Sequence, residues 1–597
     1  MALAATALIS CSKKEQGMID ESADPAYIGK NNITVENGRM TPEVLWAFGR
    51  LNDIQLSPDG SKLLYGVQYY SVEKNKSNRE LFTMNIDGSD VQQITKTIKS
   101  EFSAKWVKNG EKIAFLTSDT AGVMQLWEMN PDGTDRKQIS NISTDVNDYL
   151  YSPDGKKVVL IQTVKVGETV ADIYPDLDKT SGRVVTDLMY KHWDEWVDAK
   201  YPHPFVYDYD GEALTNGVDI IENEPYESPV KPFGGAEQLA FSPDSKMIAY
   251  TCKKKAGIEY ARSTNNDIYL YDIAQAKTVK NLIDSMMGYD INPVFSHDGK
   301  YMAWESMEHD GYESDKNRLF IQNMETGERI DLSVNFDQNS ENLEWSADDK
   351  KIYLTSCWHG EIQVYECNVE TKEFRAITSG VHDYEQIALA GDKIIGVRHS
   401  MSMPNEIYSV NMADGKETQI SFENKHILDQ VTMGEVKERW ITTTDGLKML
   451  VWVIYPPQFD PAKKYPVLIY VYGGPHAHNV EASWHWGLRG WEAYMAQQGY
   501  LLFILDNRGS ERRGRAFEQA TFRHLGDIEM QDQMEGVKYL KSLPYVDADR
   551  MGVHGWSFGG FMTTNLMCSY PDAFKVGVAG GPVIDWKYYE VMYGERY

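Results

Sequence analysis

One pattern of polar and hydrophobic positions recurs through the first 430 residues of the chain. A polar turn precedes an apolar or alternating run in LSPDGSKLLYGV (56–67), and further copies are YSPDGKKVVLIQ (151–162), FSPDSKMIAYTC (241–252), FSHDGKYMAWES (295–306) and WSADDKKIYLTS (345–356). Weaker copies begin at 106 and 389. Pro, Asp and Gly favour a tight turn, and the run after it has the period of a β-strand. The pattern therefore predicts repeated β-hairpins.

A second strand signal follows each copy, as in LFTMNIDGSD (81–90) and LWEMNPDGTD (126–135). About four strands per repeat are typical of a β-propeller blade. The turn positions are spaced by about 49, 46, 90, 54, 50 and 44 residues. We interpret the long interval as one blade with an insertion at about 165–235, which predicts seven blades over residues 41–430. Eight blades, with one motif lost, is the alternative.

The pattern changes after about residue 430 to buried strands that alternate with helices. KYPVLIYVYGGP (464–475) and GYLLFILDNRGS (499–510) are strands that end in glycine turns, and residues 526–544 have helical spacing. This order predicts a mostly parallel sheet covered by helices over residues 431–597. Gly555-Trp556-Ser557-Phe558-Gly559 lies between a strand and a helix start. A G-x-S-x-G sequence at such a turn is the context of a nucleophile elbow.

Composition limits the function classes. The 597 residues are too many for one core and indicate at least two domains. A net charge of −28 argues against a nucleic-acid partner. The cysteines are few and their spacing with histidine does not indicate zinc, so neither a disulfide framework nor a metal site is predicted. At most one disulfide is expected, and a turn near His359 would place Cys357 opposite residue 362 rather than opposite Cys367.

The N terminus resembles an export signal. Leu8-Ile9-Ser10-Cys11 follows a short apolar run and looks like a bacterial lipobox, in which the cysteine is lipidated. Residues 1–11 are therefore interpreted as a signal or lipobox remnant, and residues 12–40 as a flexible linker. This predicts a lipid anchor at Cys11 and a periplasmic or outer-membrane-anchored protein. A cleaved signal with an incidental cysteine is the alternative.

Four motifs in order resemble the prolyl oligopeptidase family of serine peptidases. They are the GWSFGG elbow (555–560), DNRGS (506–510), VYGGP (471–475) and the closing WKYYEVMYGERY. The resemblance is nearest to the branch of dipeptidyl peptidase IV and the bacterial prolyl tripeptidyl aminopeptidases. It implies a β-propeller followed by an α/β-hydrolase domain.

The resemblance also implies roles for individual residues. Ser557 would be the nucleophile, and the Tyr472 hydroxyl and the Phe558 N–H would bind the oxyanion. The pocket for the residue on the acyl side of the scissile bond would be lined by Val583, Trp586, Tyr589 and Tyr593. The spacing of the last three also fits an ordinary aromatic helix face packed in a core.

Two features depart from the family pattern. α/β-Hydrolases have their triad in the order Ser…Asp…His, and no histidine follows Ser557. The hydrolase domain is therefore expected to be incomplete at its C terminus, and the chain alone to be inactive for lack of the triad Asp and His.

The Glu-Glu pair that anchors the substrate amine in dipeptidyl peptidase IV is also missing. The insertion, LMYKHWDEWVDAKYPHPFV, instead resembles that of dipeptidyl peptidase V and acylaminoacyl-peptidase relatives, and it offers Asp194 or Glu195 as the amine anchor.

The sequence thus predicts a serine exopeptidase that releases short N-terminal peptides, with dipeptides released after Pro or Ala as the main expectation. Tripeptidyl aminopeptidase and acylaminoacyl-peptidase activities are alternatives among enzymes. A non-catalytic propeller binding protein with a degenerate hydrolase domain is the alternative outside them. Peptides are the expected partners, a homodimer is left open, and no cofactor or metal is implied.

Overall fold

A computed structural model describes residues 17–177, 179–193, 195–232, 234–487 and 489–596. The predicted leader and Cys11 lie outside these residues. The predicted linker is attached to the propeller from about residue 20 onward, since Glu21 N–H donates to the Lys96 carbonyl at 2.7 Å and Val35 N–H donates to Gln430 Oε1 at 3.0 Å. Burial of Ile28, Val35 and Met40 explains this attachment.

The described residues form seven antiparallel four-stranded sheets, which confirms the seven-bladed propeller. Their strands are, blade by blade, β1–β4 (Arg50–Leu56, Lys62–Ser71, Lys76–Asn85, Gln92–Gln93); β5–β8 (Phe102–Val107, Lys112–Ser118, Met124–Met129, Lys137–Gln138); β9, β10, β13 and β14 (Val146–Tyr151, Lys157–Lys165, Lys200–Tyr209, Leu214–Asp219); β15–β18 (Leu239–Phe241, Met247–Cys252, Asp267–Asp272, Lys277–Asn281); β19–β22 (Asp290–Phe295, Tyr301–Ser306, Arg318–Asn323, Arg329–Asp331); β23–β26 (Glu341–Trp345, Lys351–Trp358, Glu361–Asn368, Phe374–Ala376); and β27–β30 (Asp383–Ala390, Lys393–Ser400, Met403–Asn411, Glu417–Gln419). The first and last blades meet through Gly49, whose backbone exchanges two 2.8 Å hydrogen bonds with the Asn424 amide.

The repeated turn has one geometry. In the first blade the Ser57 hydroxyl donates to Asp59 at 2.5 Å and accepts the Lys62 N–H at 2.9 Å, while Gly60 has a φ of 69°. The same pair of side-chain bonds recurs at Ser152, Ser242, Ser296 and Ser346. The serine and aspartate of the motif therefore close the turn in five of the seven blades, which is why the motif is clear in those blades and weak in the second and seventh.

The insertion lies between β10 and β13, the two central strands of the third blade. β10 and β13 pair up to Lys165 and Lys200, and residues 166–199 lie between them. β13 and β14 fall inside the stretch 165–235 for which the sequence predicts an insertion, so its second half builds the blade instead. β13 has no simple alternation of buried and exposed positions, since Tyr201, Phe205 and Tyr207 are only partly buried, and the sequence therefore did not mark it as a blade strand. The insertion carries a two-stranded hairpin of β11 (Lys191–His192) and β12 (Glu195–Trp196).

The hydrolase part is a six-stranded sheet of order β31-β32-β34-β33-β35-β36. Its strands are Val436–Thr442, Lys448–Ile454, Tyr465–Tyr470, Leu501–Leu505, Val546–Trp556 and Val576–Gly580, in chain order β31 to β36. β33, β34, β35 and β36 are parallel, as predicted, and the first two strands are antiparallel additions. The α-helices of the chain are α1 (Pro42–Ala47), α2 (Val170–Ile173), α3 (Gly257–Arg262), α4 (Lys425–Leu428), α5 (Arg489–Gln497), α6 (Arg515–Glu518), α7 (Ile528–Ser542), α8 (Phe558–Ser569) and α9 (Val591–Arg596).

Three further features bear on the sequence predictions. Cys357 pairs with Ile362 in the β24–β25 hairpin, as expected, and the four cysteines among the described residues are free thiols. In the same part of the chain, no helix is long and apolar enough to cross a membrane. The outer face of β36 is exposed, including Val576 and Val578.

Candidate active site

Ser557 occupies a strained turn between β35 and α8. Its φ of 57° and ψ of −116° lie in a region that non-glycine residues seldom adopt. The flanking glycines are required by close backbone approaches, because a Cβ on Gly555 or Gly559 would lie 2.0 or 2.2 Å from the Val471 carbonyl oxygen. The elbow predicted from the pentapeptide is therefore present, and it projects Ser557 from the carboxyl end of the sheet.

Ser557 opens into a cavity of about 630 Å³ between the two domains. The predicted site residues that line it are Tyr472, Ser557, Phe558, Val583, Trp586, Tyr589 and Tyr593. The propeller contributes amide side chains to the opposite wall, from Gln238, Asn266 and Asn292. The structure thus gathers in one cavity the residues that the family resemblance places around a scissile bond.

Two donors are available for a developing oxyanion. The Phe558 N–H is the first of α8, where backbone N–H groups have no partner within the helix. The Tyr472 hydroxyl interacts with the Ser557 side chain, and burial raises the pKa of Tyr472, so its hydroxyl remains a neutral donor over a wide pH range. The Tyr589 hydroxyl also contacts Ser557.

The DNRGS motif supports the loop that carries Tyr472. Asn507 donates its amide to the Gly473 carbonyl at 3.2 Å, and Gly509 accepts the His476 N–H at 3.0 Å. Buried Asp506 accepts the backbone N–H groups of Asn479 and Val480 at 3.0 and 2.9 Å. The motif therefore positions the oxyanion tyrosine, although it does not itself line the cavity.

The aromatic pocket does not come from one helix face. Trp586 lies on a short 3₁₀ helix, Trp586–Tyr588, and Tyr593 lies on α9, with Tyr589 between them. The Trp586 ring packs edge-on to Tyr589 at 5.7 Å and is tilted against Phe558 at 5.5 Å. Because these side chains converge on the cavity from two short elements, they form a pocket wall rather than a continuous core-packed stripe.

His476 is a cation in this cavity rather than a base. Its Nδ1 lies 2.7 Å from Glu518 Oε1. Burial opposes the charge, but this hydrogen bond and the nearby carboxylates of Glu511 and Glu313 outweigh it and raise the pKa of His476 to about 10. A protonated imidazole cannot accept the Ser557 proton. No sequence pattern predicts a role for this histidine, and its positive charge follows from its contact with Glu518.

The structure does not bring Glu195 into the cavity of Ser557. Its carboxylate lies 3.3 Å from the Lys231 ammonium, its side chain is 69% exposed, and it lines a separate cavity of about 130 Å³. Asp194, the other predicted anchor, lies outside the described residues. Glu313, on the loop between β20 and β21, lines the Ser557 cavity instead and pairs with Arg596.

Sequence reasoning missed Glu313 because nothing in its local pattern marks it. It follows strand β20 by seven residues within a polar loop. Its place becomes visible only when α9 of the hydrolase domain docks on the propeller. There Arg596, which is buried, also donates to the Ala261 and Ser263 carbonyls at 3.0 and 3.1 Å.

Among the described residues, no cluster of three or more His, Cys, Asp or Glu side chains could hold a metal ion. The chemistry that the site offers is that of a nucleophilic hydroxyl with oxyanion donors and an aromatic pocket.

Comparisons with known proteins agree with this arrangement. Residues 486–597 match the model of the prolyl oligopeptidase family, and residues 48–196 match that of the TolB β-propeller domain. The chain is similar to the dipeptidyl-peptidase 5 of Porphyromonas gingivalis, at 44% identity over 90% of this chain and 78% of the relative. It is 41% identical to that of Porphyromonas endodontalis over 92% and 78%.

Two solved structures share the fold. An acylaminoacyl peptidase from Pyrococcus horikoshii superposes with a TM-score of 0.74 at 18% identity, covering 91% of this chain and 79% of its own. The dipeptidyl peptidase 4 of Porphyromonas gingivalis has a TM-score of 0.56 at 19% identity, covering 95% and 79%. At these identities the likeness concerns the architecture alone.

Proposed function

Because this chain belongs to the prolyl oligopeptidase family of serine peptidases, we propose that its site releases dipeptides from the free N termini of peptides. Ser557 is the nucleophile of this proposal, and Tyr472 and the Phe558 N–H bind the oxyanion. The names of the Porphyromonas relatives support dipeptide release. The residue before the scissile bond is proposed to be small or flat, such as Ala or Pro.

The observation that carries the proposal is a carboxylate beyond the aromatic pocket. Ser557 contacts the Tyr589 hydroxyl, Tyr589 neighbours Tyr593, and burial together with the negative charge of Glu313 raises the pKa of Tyr593. The cavity therefore runs from the nucleophile past the pocket to Glu313. Glu313 is paired with Arg596, but a carboxylate can accept several hydrogen bonds, so its place in the cavity supports recognition of an ammonium group close to the scissile bond.

The chemistry follows from these groups. The Ser557 oxygen attacks the scissile carbonyl as its proton passes to a general base, and the carbonyl oxygen becomes an oxyanion held by Tyr472 and Phe558. Collapse of the tetrahedral intermediate expels the amine of the shortened peptide and leaves a dipeptidyl ester on Ser557. Water then hydrolyses the ester. The triad order of α/β-hydrolases places the base after the nucleophile in the chain, and protonated His476 does not meet that need.

The test uses the purified full-length protein and fluorogenic substrates. Gly-Pro, Ala-Ala and Ala-Ala-Pro amides should separate dipeptide from tripeptide release, and acetyl-Ala amides should detect acylaminoacyl-peptidase activity. Hydrolysis of the first two, lost in Ser557→Ala, is the expected result. Turnover that survives in Ser557→Ala would remove the nucleophile assignment.

The role of Glu313 has its own test with a matched control. Glu313→Gln should raise KM for substrates with a free amine by about tenfold or more, since a charge-assisted hydrogen bond contributes about 1.5–3 kcal/mol. Glu195→Gln should change KM little, because Glu195 faces Lys231. If the Glu195 variant weakens binding and the Glu313 variant does not, the ammonium lies at the hairpin and the anchor assignment is wrong.

A further inference from the structure

The hairpin β11–β12 of the propeller insertion reaches the hydrolase pocket. Trp193 directly follows β11 and lines the same cavity as Ser557, Trp586 and Tyr589. Its φ is 49°, a left-handed conformation that is uncommon for a bulky residue. The side chain therefore belongs to the pocket although its backbone belongs to the third blade.

Trp193 makes two specific contacts with pocket residues. Its ring stacks on Tyr593 with centroids 5.7 Å apart and an angle of 23° between the planes. Its indole N–H hydrogen-bonds to the Tyr589 hydroxyl, the same hydroxyl that contacts Ser557. Even so, 43% of the Trp193 surface is exposed. Part of the indole surface therefore remains accessible to a ligand in the cavity.

The hairpin is also held by contacts within the insertion and with the propeller. Arg183 lies 4.2 Å from the Trp196 ring centroid and forms two 2.7 Å bonds with Asp198. The ion pair of Glu195 with Lys231 ties the hairpin to the segment that connects the third and fourth blades. These contacts act in addition to the stacking on Tyr593 of α9, so the propeller contributes to where the indole meets the pocket.

We propose that Trp193 determines specificity by forming the propeller-side wall of the pocket for the acyl-side residue, and that it positions the Tyr589 hydroxyl beside Ser557. The inference rests on the proposed function. The indole closes the side of the pocket opposite Trp586 and limits it to a small or flat residue such as Ala or Pro. Without the indole, the pocket opens toward the insertion and admits larger side chains.

The contrasting explanation is that Trp193 only packs the insertion against α9. Loss of packing would lower activity toward all substrates equally and would not change the selectivity between them. A wall residue instead changes the ratio of kcat/KM for small and large acyl-side residues. A difference of one methylene in a hydrophobic pocket corresponds to about 10–200-fold in that ratio.

Three variants of the full-length protein separate these explanations. In Trp193→Ala the ratio of kcat/KM for Gly-Ala over Gly-Phe amides should fall by about tenfold or more. Trp193→Phe keeps a stacking ring but loses the N–H, so the ratio should stay within about threefold while kcat falls about fivefold, the value of one ordinary hydrogen bond. Tyr174→Ala, at an exposed aromatic residue of the same insertion that does not line this cavity, is the matched control and should match the wild type in both measurements.

An unchanged ratio in Trp193→Ala, or an equal change in Tyr174→Ala, overturns the proposal. The rate at which Gly-Ala and Gly-Phe diphenyl phosphonates label Ser557 gives the same ratio without turnover. If the wild type releases no dipeptides yet its labelling ratio falls in Trp193→Ala, the proposed function fails and the wall assignment stands. If dipeptides are released and neither ratio changes, only the wall assignment fails.

Discussion

Replacing Tyr472 by Phe removes one hydroxyl from the proposed oxyanion site and leaves the packing of the ring in place. The ring lies 6.1 Å from that of Phe558, a contact that Phe would keep. The hydroxyl meets the Ser557 side chain at the mouth of the elbow, and its raised pKa keeps it neutral and protonated. The variant should therefore fold normally and lack one donor to the transition state.

The size of the effect follows from what the lost donor does. A preorganised oxyanion donor lowers the barrier by about 2.7–4 kcal/mol, so kcat should fall by about 10²–10³. KM should change by less than about threefold, because the donor is aimed at the charge that develops during attack rather than at the neutral carbonyl.

The assay compares steady-state hydrolysis of an Ala-Ala amide by three variants. Tyr470→Phe is the control, because Tyr470 stacks near His554 on β35 rather than lining the cavity. Tyr589→Phe tests the second hydroxyl that touches Ser557, and it should lose less than Tyr472→Phe if Tyr472 is the oxyanion donor. A fall of less than about fivefold in Tyr472→Phe, or a larger fall in Tyr589→Phe, would refute the assignment.

Three further predictions concern the elbow, the buried cation and the N terminus. Gly559→Ala should lower the free energy of unfolding by about 3 kcal/mol, the upper range for overpacking, because the new Cβ would lie 2.2 Å from the Val471 carbonyl oxygen. Urea unfolding should show no comparable loss in the control Gly182→Ala, because the nearest atom to its new Cβ is a side-chain oxygen at 3.3 Å. Because the pKa of His476 is raised to about 10, its pair with Glu518 stabilises the protein fully below pH 6.5 and progressively less as the pH rises to about 10. The temperature of thermal unfolding should fall accordingly between pH 6 and 10. Glu518→Gln should make the unfolding temperature less dependent on pH over this range. We propose that Cys11 carries a lipid, as its lipobox-like context predicts; a palmitate analogue should then label the wild type and not Cys11→Ser, and equal labelling of both would exclude the anchor.

The blades could be predicted from the sequence because their signal is local. Five of the seven turns are closed by a serine and an aspartate two residues apart, so the hydrogen bonds that stabilise them lie within six residues of sequence. The third blade was harder to interpret because β13 follows the insertion and is rich in aromatic residues. Its pairing with β10 joins residues 35 positions apart or more, such as Lys165 and Lys200, and no local pattern encodes that distance.

The site residues also differ in whether the local sequence could predict them. Ser557 and its glycines could be predicted because the strain of the turn and the glycines that permit it are neighbours in the chain. Tyr472 and the aromatic pocket were available only through resemblance to a family. Glu313 and Trp193 could not be found, since each is brought to Ser557 by the docking of one domain on the other. Glu195 shows the opposite case. Its residue type and its place in the insertion made it a candidate amine anchor, but in the structure its carboxylate pairs with Lys231 instead.

The docking itself gives the propeller a direct part in the site. Arg596 of α9 carries its positive charge to the propeller, where it meets two backbone carbonyls of the fourth blade and Glu313 of the fifth. Tyr593, three residues earlier on the same helix, receives the stacked ring of Trp193 from the third blade. One short helix is therefore held from two sides by the propeller, at the point where the pocket lies. It follows that changes in the blades that shift α9 should alter substrate selection, even though the nucleophile and both oxyanion donors belong to the hydrolase domain.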